Sequence, residues 1–74
     1  MREILAERLK ACRKEKGLTQ WQAAIYADIT EKAYQNYELK AREPRLEIIS
    51  RLADVFEVSV DYLLGRTDNK KLNK

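Results

Sequence analysis

TQWQAAIYADITEKAYQNYELKAR, residues 19–42, decides the fold of this chain. Both of its ends read as helix and its middle as a tight turn. Thr19 is placed to cap the first helix, and Gln22 three residues on completes a Thr-x-x-Gln capping box. Ala24, Ala27, Ile29, Tyr34 and Tyr37 supply a core-facing set that runs through the turn at Ala27-Asp28-Ile29. Thr30 caps the second helix, predicted over residues 30–39, and the other face of that helix carries Glu31, Lys32, Gln35 and Asn36. Small residues let two helices cross closely while the second keeps a row of hydrogen-bonding side chains free. Such a pair is suited to placing one helix in a DNA major groove.

Outward from this stretch, the rest of the chain reads as support. Leu5, Leu9 and Cys12 recur at helical spacing and predict an amphipathic helix over residues 4–16. Gly17 is its left-handed end, and Leu18 folds back as the apolar partner. Cys12 lies on the apolar stripe and is read as core packing. Asp28 stands where the turn asks for positive φ, one of the few residue types besides glycine that tolerates it. Pro44 holds Glu43 extended and so secures a loop after Glu38. Leu46, Ile49, Leu52, Ala53 and Phe56 then mark a fourth helix. Ser59 caps a short fifth one, with Asp61 in its first turn, Gly65 at its end, and Leu63 and Leu64 turned to the core. Residues 66–74, RTDNKKLNK, are expected to form a polar basic tail with nothing to bury, separate from a single domain over residues 1–65.

Composition agrees with a small helical domain. The 74 residues are 45% hydrophobic and 36% charged, with two glycines and one proline, too few for the turns of an all-β fold. No apolar run approaches the length of a membrane span, and no signal peptide is visible. One cysteine excludes an internal disulfide and fits a reducing cytoplasm. The chain has no histidine, no metal-ligand cluster and no phosphate-binding glycine loop, so no enzyme, cofactor or small-molecule ligand is expected. The net charge of +3 is modest. Its distribution is more telling: Arg8, Lys10, Arg13, Lys14 and Lys16 crowd the first helix, and Lys40, Arg42 and Arg45 follow the second helix of the pair.

RLKACRKEKGLTQ, followed in order by QAAIYADIT, AYQNYE, REP and LADVFEVSVDYLLG, resembles the phage-repressor (Cro/CI, or Xre) helix-turn-helix family from about Leu5 to Gly65. The resemblance implies an all-α, compact five-helix bundle of the lambda-repressor-like kind. It also implies a transcriptional regulator, a repressor of phage or mobile-element type, that binds double-stranded DNA at an inverted repeat as a homodimer. Residue by residue, Glu31, Lys32, Gln35 and Asn36 match positions that face base edges. Gln20, beside Thr19, matches a phosphate-binding position, and Lys40 and Arg42 match backbone-contacting ones, to which Arg45 could add. Arg13 and Glu38 match a pair that ties the first helix to the recognition helix. Asp28, Lys40 and Glu57 occupy positions where the family commonly has glycine, and Arg45 one where it has a capping serine.

Two surfaces are left over. The fifth-helix region around Val58, Val60 and Leu64 is the expected dimer contact. Trp21 and Ile25, one helical turn apart and turned from Ala23, Ala24 and Ala27, are either a ridge covered by lysine stems or a knob for a protein partner, a toxin or another regulator. The second option carries the alternative function, a protein-interaction module on the same fold.

Overall fold

The computed structural model describes residues 2–71. Five helices follow one another: α1 (Arg2–Glu15), α2 (Gln20–Tyr26), α3 (Glu31–Glu38), α4 (Leu46–Phe56) and α5 (Val60–Leu63). Their starts are set by local chemistry. The Oγ1 of Thr19 accepts from the Gln22 amide at 3.0 Å while Gln22 Oε1 accepts from the Thr19 amide at 2.9 Å, closing the capping box. Thr30 and Ser59 cap α3 and α5 with a single bond each, accepting from the amides of Ala33 and Tyr62. α4 begins at Arg45, which makes no side-chain cap bond.

All five helices among the described residues end alike. The residue after the last turn is left-handed, and two amides there bond back to carbonyls of the final turn, the Schellman arrangement. At α1, Gly17 bonds Lys14 and Leu18 bonds Arg13; at α4, Glu57 bonds Asp54 and Val58 bonds Ala53. Glycine supplies the positive φ at Gly17 and Gly65, but Asp28 (60°), Lys40 (65°) and Glu57 (58°) adopt it with a side chain in place.

The core gathers Leu5, Leu9 and Cys12 from α1, Ala23, Ala24 and Ala27 from α2 and its end, Tyr34 and Tyr37 from α3, and Ile49, Leu52, Ala53 and Phe56 from α4. Val58 and Leu63 close it from below. α3 lies against both α2 and α1, and α5 bridges α1 and α4. The Cα radius of gyration, 10.8 Å, is close to the ~11 Å of a compact globule of this length.

Two expectations fail here. Leu46, counted with the core stripe of α4, is 68% exposed at the first position of the helix, whereas Ile49, three residues on, is buried. The tail expected to hang free is tied down over residues 66–71. Arg8 Nη1 donates to the carbonyls of Tyr62 and Thr67, its Nη2 meets Asp68 at 2.8 Å, and its guanidinium stacks 4.2 Å above the Tyr62 ring. Lys70 pairs with Glu15 at 2.9 Å, and its carbonyl accepts from the Ser59 amide. Residues 72–74 of that tail lie outside the described residues.

Candidate nucleic-acid interface

What holds α3 in place determines what it offers. Tyr34 is wholly buried and Tyr37 nearly so, which anchors one side of the helix. At its end Arg13 and Glu38 form a two-pronged pair, Nε to Oε2 at 2.7 Å and Nη2 to Oε1 at 3.2 Å. Gln20 Nε2 adds a third bond to Oε1 at 3.1 Å, so α1, α2 and α3 meet on one carboxylate. Burial pushes the Glu38 carboxyl up, but hydrogen bonds from Arg13, Tyr34 and Gln20 outweigh it and hold the group below the usual glutamate range. Burial, with the neighbouring Glu38, raises the Tyr34 hydroxyl, which therefore stays protonated.

The opposite side of α3 is open. Glu31 and Lys32 are exposed and Gln35 and Asn36 partly so, in one row on the surface. Gln35 Nε2 lies 3.4 Å from Glu31 Oε2. The main-chain carbonyl of Asn36 accepts from the amides of Ala41 and Arg42, which folds the following loop against the helix end. That loop displays Lys40, Arg42 and Arg45, all exposed, so four cations face two carboxylates, Glu31 and Glu43, along this edge.

The remaining candidates separate. Thr19 spends its oxygen as a cap acceptor and keeps its hydroxyl proton as a donor. Gln20 turns its amide inward to Glu38, so one of its two amide hydrogens is already used. Of the basic cluster at the first helix, Arg8 and Arg13 on α1 and Lys16 just after it are engaged within the chain, Lys16 with Glu57, so that cluster is largely structural. Val58 is corrected: at 4% exposure it is core, drawn inward when its amide bonds Ala53 after the left-handed Glu57. Val60 and Leu64 are half-buried.

Trp21 and Ile25 are exposed, at 57% and 49%, and Tyr26 joins them at 62%. Tyr26, and Leu39 at 71% exposure, are exposed apolar side chains that the core-facing sequence pattern does not single out. Spacing could have found Leu39: it follows Lys32 by seven residues and so falls on nearly the same side of α3.

No helix among the described residues is long and apolar enough to cross a membrane, and no group of side chains there is arranged to hold a metal ion.

The family model described as "Helix-turn-helix" matches residues 9–63. The chain is 42% identical over 69 residues to the uncharacterized HTH-type transcriptional regulator YqaE of Bacillus subtilis (strain 168), covering 93% of this chain and 60% of that protein. It is 37% identical over 70 residues to the HTH-type transcriptional regulator ImmR of the same organism, covering 95% of this chain and 55% of ImmR. It is also 37% identical over 62 residues to the cryptic phage CTXphi transcriptional repressor RstR of Vibrio cholerae, covering 84% and 55% of the two chains. The chain therefore spans rather more than half the length of these relatives. No solved structure matches it.

Proposed function

The chain belongs to the helix-turn-helix family, and from that membership we propose that it is the DNA-binding part of a transcriptional repressor that acts in the cytoplasm. It binds duplex DNA as a two-fold dimer on an inverted repeat, with the two α3 helices about 34 Å apart. α3 enters the major groove by its N-terminal end. There Lys32 donates to guanine O6 or N7, Asn36 pairs with adenine, and Glu31 accepts from cytosine N4, with Gln35 beside them. Thr19, Lys40, Arg42 and Arg45 meet phosphates and set the register, joined by the remaining amide hydrogen of Gln20. The half-buried Val60 and Leu64 are the candidates for the dimer contact.

The observation that carries this reading is the division of α3: Tyr34, Tyr37 and Glu38 are fixed into the bundle while Glu31, Lys32, Gln35 and Asn36 stay accessible in one row. Selection of bound duplexes from a random pool at fixed salt tests it. An enriched inverted repeat supports the proposal, and recovery of no motif at any salt overturns it.

A second reading rests on Trp21, Ile25 and Tyr26, whose exposure suits a protein contact. In that case Lys32→Ala and Asn36→Ala would leave DNA selectivity untouched, whereas the first reading requires that selectivity to change.

A further inference from the structure

On the reading that α3 enters the major groove, we propose that Glu31, besides the base contact open to its other carboxylate oxygen, is a positioning residue for base selectivity. It holds the Gln35 side-chain amide with Nε2 on the Glu31 carboxylate and leaves Oε1 to the base, so that position 35 selects bases with a major-groove amino group, adenine and cytosine.

The two ends of a glutamine amide have almost the same shape, so neighbouring charge decides which way round it sits. Gln35 follows Glu31 by four residues, directly above it on α3, with Nε2 3.4 Å from Glu31 Oε2. Turned over, the amide would set Oε1 against a carboxylate oxygen, acceptor against acceptor. Both residues sit on the open side of the helix, where the bond competes with water. Entry into a groove removes that water and strengthens the preference. Lys32 and Asn36 repeat the same four-residue spacing one step further round. The row therefore divides into a stripe ending in acceptors, Glu31 and Gln35, and a stripe led by the donor Lys32.

Major-groove edges distinguish the two stripes. Adenine N6 and cytosine N4 are donors and suit an outward Oε1; guanine presents O6 and N7, and thymine O4, which are acceptors. An amide locked by Glu31 discriminates between these classes, whereas one free to flip reads either.

The test is selection from a random duplex pool with the wild-type chain, Glu31→Gln, Gln35→Ala and the double variant, each first checked for an unchanged melting transition. Gln35→Ala identifies the base-pair column that Gln35 reads. In the wild type that column is specified by about 5-fold or more, and replacing its adenine by purine, which lacks the N6 amino group, loses the preference. Glu31→Gln keeps the shape but removes the charge, and brings the ratio at that column close to one. In the Gln35→Ala background the same change does nothing at that column, which a general effect of the charge on DNA affinity would not produce. An unaltered column in Glu31→Gln, a preference that survives removal of the amino group from the column, or no column responding to Gln35→Ala each overturns the inference while leaving DNA binding intact. A wild-type pool without any motif overturns the DNA-binding reading as well.

Discussion

Arg13 and Glu38, 25 residues apart in the chain, face each other at 2.7 Å with 13% and 4% of their side chains exposed. Through this pair α3 is fixed to α1. Removing Arg13 alone, as Arg13→Met, leaves a buried carboxylate without its charge partner and should destabilise the fold by about 3 kcal/mol or more. Removing both, as Arg13→Met with Glu38→Leu, should cost less, although Gln20 and Tyr34 lose an acceptor. Denaturant unfolding of the two variants checks the order.

The same pair gives a pH dependence that mutation weakens. In the native chain the Glu38 carboxyl titrates below its ordinary value, with burial raising it and the bonds from Arg13, Tyr34 and Gln20 lowering it by more. Its stabilising contribution is thus complete above the ordinary glutamate range, about pH 4.3, and is lost as pH falls through the lower native value. In Arg13→Met the largest lowering partner is gone, while burial still raises the group and the bonds from Tyr34 and Gln20 still lower it. Less stability is then lost as the carboxyl protonates. The native chain should be more stable at pH 7 than in mild acid, and the variant should show a smaller difference, in parallel melts.

Three helix ends are left-handed with a side chain present: Asp28, Lys40 and Glu57. That conformation costs an L-residue roughly 1–2 kcal/mol, part of which glycine forfeits through a freer unfolded chain. Lys40→Gly and Glu57→Gly should each stabilise by about 0.5–1 kcal/mol, and Asp28→Gly by less, since aspartate tolerates the region better. At about 4–8 °C per kcal/mol for a domain this small, the triple variant should melt clearly higher. The loss of the surface pair between Glu57 and Lys16 is a small opposing effect. A calorimetric scan showing no gain at Lys40 or Glu57 would mean that those side chains repay their backbone strain by contacts elsewhere.

These helix ends also show what the sequence disclosed. Thr19, Thr30, Ser59, Gly17 and Gly65 were legible because a cap is settled within four or five residues, and the pattern of Ala24, Ala27, Tyr34 and Tyr37 because burial follows helical period. Leu46 misled because periodicity marks the apolar side of a helix without saying how far along it a neighbour reaches. Val58 misled because one left-handed residue, Glu57, redirects it into the core. The segment 66–71 is polar by composition, yet Arg8 holds it through main-chain carbonyls, a contact across more than fifty residues that local pattern cannot register. The bond from Gln20 to Glu38 is hidden from local pattern for the same reason, its partner lying 18 residues away.

Cys12 supplies a reporter. It is the only cysteine in the chain and is 2% exposed, and burial, with Glu15 nearby, pushes its thiol up and suppresses the thiolate. Reaction with a disulfide reagent at pH 8 should be slow in the native state and should accelerate with denaturant in step with unfolding. Fast labelling without denaturant would show that α1 opens locally.

The charges along the recognition edge should divide into two kinds by their response to salt. A residue that neutralises a phosphate releases counterions, so its removal weakens binding to every duplex and flattens the dependence of affinity on salt. Lys40→Ala, Arg42→Ala and Arg45→Ala should each lower that slope by about one while leaving the selected motif unchanged. Asn36→Ala should do the opposite: the slope stays, and discrimination at one base pair falls by about 1–3 kcal/mol. Lys32→Ala belongs with Asn36 if it reads guanine and with Lys40 if it rests on a phosphate, so the slope assigns it. Lys40→Gly then links affinity to stability, because relief of the left-handed strain should raise the melting temperature in the same protein that loses a phosphate contact. Equilibrium titrations at several salt concentrations, set beside thermal melts, separate the two effects. A Lys40→Gly chain that melts higher and keeps the full salt slope would remove Lys40 from the DNA backbone contacts.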